Sequence, residues 1–89
     1  MIKENITIIN KLGLHARAAA KLVGTASHYA SNIQVTKDGR QADAKSIMAV
    51  MMLAASKGSV LTFSIEGTDE ERAWEGIKTL INNRFDEDE

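Results

Sequence analysis

His15 is the side chain best placed to form a covalent bond. It follows the glycine-containing loop Asn10-Lys11-Leu12-Gly13-Leu14. It precedes a stretch, from about Ala16, in which Ala19, Leu22, Val23 and Ala26 fall at helical spacing. The first backbone N–H groups of a helix have no partner inside it, and together with the helix dipole they favour an anion such as phosphate. With the helix starting there, those groups belong to Ala16, Arg17 and Ala18. Imidazole is a competent nucleophile near neutral pH. Arg17 adds a guanidinium fork that matches phosphate oxygens. The same position also suits an ordinary exposed histidine at a helix start, and Gly13 also suits a simple turn.

Ser46 precedes the apolar stretch Ile47–Ala55 and has the chemistry of a helix N-cap. A phosphate there would sit at a helix N-terminus, where it is tolerated, so it would act on docking rather than on folding. The stretch itself, Ile47-Met48-Ala49-Val50-Met51-Met52-Leu53-Ala54-Ala55, is apolar all round. A helix on one sheet buries a single face, so methionine-rich surface is expected to remain exposed, and such surface suits adaptable protein contacts. His28 has no matching ligand and reads as a surface residue; Trp74 lies on an apolar stripe and reads as core. The spacings of a metal site, a dinucleotide loop and a P-loop are all missing. The basic residues are too few and too little interleaved with aromatics for nucleic-acid binding.

The elements that carry these residues follow from glycine punctuation and periodicity, with no proline anywhere in the chain. Residues 2–9 alternate as a strand, and a helix follows to about His28–Ser31. Asn32–Thr36 is a strand, Asp38-Gly39 a hairpin turn and Gln41–Ala44 the return strand. The second helix runs from Ile47 to about Ala55. Val60–Glu66 is a strand with Leu61, Phe63 and Ile65 inward. A last helix opens with Thr68 and Glu71 as a capping box and carries Ala73, Trp74, Ile77, Leu80, Ile81 and Phe85 on one face. The order β-α-β-β-α-β-α implies an α+β open-faced sandwich: a four-stranded, mostly antiparallel sheet with three helices on one face.

Length and composition set the limits. Eighty-nine residues make one domain, spanning 1–89, too small to enclose a deep pocket. The absence of cysteine excludes disulfides and thiolate chemistry. With no long apolar run and no apolar leader, a cytoplasmic protein without membrane insertion is expected. Net charge is −1, but residues 1–65 carry eight basic against three acidic side chains, and residues 66–89 carry three against nine. The first region is thus positive enough to steer an acidic partner, and the acidic end, residues 86–89, is expected to fray.

The segment Asn10-Lys11-Leu12-Gly13-Leu14-His15-Ala16-Arg17-Ala18-Ala19 resembles the active-site motif of the HPr family, the phosphocarriers of the bacterial phosphoenolpyruvate-dependent phosphotransferase system. Lys45-Ser46-Ile47-Met48-Ala49-Val50-Met51-Met52-Leu53-Ala54-Ala55 looks like that family's serine-site helix. The resemblance covers residues 2–85. It implies a carrier rather than an enzyme, with no cofactor. His15 would take phosphate from phosphorylated enzyme I on its δ nitrogen, aided by Arg17, and pass it to an enzyme IIA-type domain. Docking would use Ala20, Ile47, Met48 and Met51, with Arg17 and Lys21 at the edge. A serine kinase or phosphorylase would act at Ser46, and a shuttle using one face is expected to be a monomer. The nitrogen-related branch of the family and a regulatory binding module of the same fold are the alternatives. One departure stands out: where the family usually has proline, this chain has Ala18. Alanine adds a backbone N–H to the first helical turn and loosens it.

Overall fold

Four short strands can share one sheet here because their apolar residues alternate, giving each a face to bury. The computed structural model describes residues 1–89. Its strands are β1 (Ile2–Thr7), β2 (Asn32–Lys37), β3 (Arg40–Asp43) and β4 (Val60–Glu66), in the order β1-β4-β2-β3. Every neighbouring pair is antiparallel. The register places Ile33 beside Ile65 and Val35 beside Phe63. These side chains, with Leu61 and Ala42, form the buried face. On edge strand β1, Ile2 and Ile6 face Ile65 and Leu61, while Glu4, opposite Phe63, stays exposed.

Three helices cover that face: α1 (Ala16–Ala26), α2 (Ile47–Met51) and α3 (Glu70–Asn82). Ala18, Ala19, Leu22 and Ala26 of α1 and Ala73, Ile77 and Ile81 of α3 are buried in one core with the sheet. Phe63 and Phe85 are its largest fully buried side chains, and each such burial contributes about 1.5–3 kcal/mol. Trp74 is half-buried, with its ring centroid 5.8 Å from that of Phe63. The β2–β3 hairpin turns through Asp38 and Gly39, both at positive φ (50° and 83°). That pair of conformations gives a two-residue turn whose twist matches the strands.

Three local readings of the sequence need correction. The second helix stops at Met51 rather than near Ala55. Ala54 takes a positive φ of 52°, and the chain bends so that Leu53 and Ala55 are buried. The bend brings the Ala55 carbonyl to the N–H of Leu14, 2.8 Å away. The expected capping box of Thr68 and Glu71 does not form: the last helix starts at Glu70 with Asp69 as N-cap and no side-chain cap bond, and the Glu70 carboxylate accepts from Gly67 N at 3.1 Å. Asp69 turns instead to the loop after α1, accepting from Ala30 N (2.8 Å), Ser31 N (3.0 Å) and Ser31 Oγ (2.5 Å). Charge alone suggests a frayed acidic end, but residues 84–89 fold back over the start of α1. Arg84–Asp86 form a short turn that buries Phe85 completely.

Candidate phosphoryl-transfer site

His15 is the N-cap residue of α1, in extended conformation (φ −74°, ψ 179°). Its loop is fixed from two sides. Leu14 bonds to Ala55, as above, and Gly13 lies against the same segment at a φ of 67°. Beneath the loop, fully buried Asn10 donates from Nδ2 to the Gly13 carbonyl (2.8 Å) and to Glu87 Oε1 (3.0 Å). Both partners only accept, so the amide orientation is forced.

The remaining oxygen of that carboxylate, Glu87 Oε2, contacts His15 Nε2. Nδ1 has no partner in the chain. The Asn10 amide, followed by the bond to His15 and the charges of His15 and Arg17, holds the Glu87 carboxyl below the usual glutamate range. Glu87 is therefore an ionised acceptor at neutral pH, facing Nε2 of the ring.

The N–H groups of Ala16, Arg17 and Ala18 have no acceptor, and the first turn of α1 holds no acidic residue. Arg17 is exposed and makes no ion pair or hydrogen bond. The site therefore presents three free backbone donors and one free guanidinium around a half-buried imidazole. Lys11, His15, Arg17 and Lys21 line one open basin of about 910 Å³ with the acidic end. Such an arrangement can hold a phosphoryl anion at the surface.

A family profile for the PTS HPr component phosphorylation site matches residues 2–83. The chain belongs to the HPr family. It is 53% identical to the phosphocarrier protein HPr of Cupriavidus necator over the full length of both chains. It is 58% identical to that of Pseudomonas aeruginosa over 85 residues, 94% of each chain. Its fold is similar to a crystal structure of HPr-C-His from Thermoanaerobacter tengcongensis, with a TM-score of 0.96 and 47% identity over all of both chains. It is an HPr-type phosphocarrier of the phosphotransferase system, on the open-faced sandwich that residue periodicity implies.

The other residues singled out in the sequence fall into two groups. Ala20 of α1 and Ile47, Met48 and Met51 of α2 are exposed, and α1 packs beside α2. Met52 adds to this apolar surface at 65% exposure. Ser46 is the N-cap of α2, where its Oγ accepts from Ala49 N at 3.4 Å. Lys21, at the edge of the basin, donates from Nζ to the Phe85 carbonyl (2.9 Å) and lies 3.7 Å from Asp86. His28 is exposed and apart from this site. Sequence reasoning overlooked Asn10 as a buried brace and Glu87 as a partner of His15. Asn10 opens the HPr motif and could have been suspected; Glu87 lies 72 residues from His15 and gave no signal. No helix is long and apolar enough to cross a membrane.

Proposed function

We propose that the chain accepts a phosphoryl group on His15 Nδ1 from phosphorylated enzyme I and hands it to an enzyme IIA-type domain. We place it in the cytoplasm, acting as a monomer. The observation that carries this reading is the state of His15: Nε2 is engaged by Glu87, Nδ1 is unpartnered, and His15 caps a helix whose first three N–H groups are free, with an unpaired Arg17 lining the same basin. A phosphoryl group on Nδ1 would meet backbone donors and a positive fork, with the Glu87 carboxylate held at the other ring nitrogen. The apolar surface of Ala20, Ile47, Met48 and Met51 supplies the docking face, with Arg17 at its edge. Ser46 adjoins that face, so a phosphate on its hydroxyl would alter docking while leaving α2 in place.

Incubation with enzyme I and labelled phosphoenolpyruvate tests the reading. Acid-labile label on the parent and none on His15→Ala, with both proteins folded by circular dichroism, is the expected result. Label retained by His15→Ala, or a folded parent that takes none from an active enzyme I, would overturn it.

A further inference from the structure

A carboxylate repels phosphoryl oxygens, so an acidic side chain built into a phosphate site calls for another use. Glu87 is held firmly there. Its two oxygens have separate partners, Asn10 Nδ2 and His15 Nε2. Asn10 is fully buried and also grips Gly13, two residues before His15, so one amide ties the carboxylate to the loop that carries the imidazole. The segment behind Glu87 is anchored by buried Phe85, by Lys21 Nζ on the Phe85 carbonyl and by Lys11 N on the Glu89 carbonyl (2.6 Å). Arg84, Phe85 and Asp86 all take positive φ to make this return, a conformation that side chains other than glycine rarely adopt.

We propose that Glu87, braced by Asn10, is a positioning residue for phosphoryl transfer, selecting the ring form of His15 that carries its hydrogen on Nε2 and its lone pair on Nδ1. The proposal rests on His15 being the phosphoryl acceptor. In the step, the Nδ1 lone pair attacks phosphorus, the N–P bond forms, and the donor's bond to phosphorus breaks with its electron pair leaving on the donor. The hydrogen stays on Nε2 and no proton has to depart. The ring becomes an imidazolium facing the Glu87 carboxylate, the logic by which a buried acid orients a catalytic histidine. Passing the phosphoryl group on returns the neutral ring in the same form.

The test compares the parent with Glu87→Ala and, as a control, Asp88→Ala, whose side chain touches neither Asn10 nor His15. Nitrogen-15 NMR of the free proteins reads the ring form directly. The parent and Asp88→Ala should show His15 with hydrogen on Nε2, and Glu87→Ala a mixture of the two neutral forms. In transfer from phosphorylated enzyme I, Glu87→Ala should lower kcat by about tenfold or more with KM changed less than about twofold. An unchanged ring form in Glu87→Ala overturns the proposal at any rate, and so does transfer as fast as or faster than the parent's. Failure of the parent itself to take label would fall on the proposed function, whereas the ring form is read without any phosphoryl donor.

Discussion

Gly13 approaches Ala55 so closely that no side chain fits between them. A Cβ on Gly13 would lie 2.6 Å from the Ala55 carbonyl oxygen and 2.8 Å from the Ser56 Cα, at a φ of 67°. Since Leu14 N donates to that same oxygen, the loop holding His15 and the bend after α2 form one unit. Gly13→Ala should therefore combine left-handed strain of about 1–2 kcal/mol with a backbone clash. A loss of about 2 kcal/mol or more in urea unfolding, and roughly 10 °C in Tm, is expected. A variant as stable as the parent would show that the two loops are free to separate.

Asp69 ties the loop after α1 to the start of α3, and Ser31 Oγ, then the Ala30 and Ser31 amides, hold its carboxyl below the usual aspartate range. A depressed folded value means that the stabilisation is present above the ordinary aspartate pKa and fades as pH falls through the lower, folded value. Stability should hold on acidification to about pH 4 and fall below it. Asp69→Asn should be less stable at pH 7 and show a flatter acid limb. Parallel pH profiles for the two proteins would exclude this lock as the source of the acid sensitivity.

Ser46→Asp should keep α2, because aspartate caps a helix as well as serine does. The added charge adjoins Ile47, Met48 and Met51. Calorimetric affinity for enzyme I should fall roughly fivefold or more, as expected for a charge beside a docking face, with Tm nearly unchanged. Equal affinity would place the docking face elsewhere.

Ala18→Pro restores the residue usual in the family. The Ala18 N–H makes no hydrogen bond in the chain, so proline removes none, and a stiffer unfolded chain should raise stability by about 0.5–1 kcal/mol. Denaturant titration checks this. A loss of more than about 1 kcal/mol would mean that the ring finds no room beside the buried Ala18 side chain.

Much of the architecture was legible because local rules and the global fold agree. Alternation along Val60–Glu66 correctly sent Leu61, Phe63 and Ile65 inward, and Asp38-Gly39 marked its hairpin. The short second helix was not legible, since Met52–Ala55 have the composition of a helix. The chain leaves helical geometry there because the Ala55 carbonyl serves Leu14 across the fold. The bond from Lys21 to the Phe85 carbonyl was not legible either, since it depends on the packed return of residues 84–89.

The sequence by itself determined the element order, the inward faces, the helix start behind His15 and the placing of Arg17 and Ser46. Each of these depends on neighbours within about a turn of helix or a strand register. The tertiary structure alone decided that Glu87 meets His15, that Asn10 braces both, and that Gly13 seats on Ala55. Those contacts join residues tens of positions apart. Whether they form depends on how the packed core brings distant loops together, and neither composition nor periodicity encodes that distance.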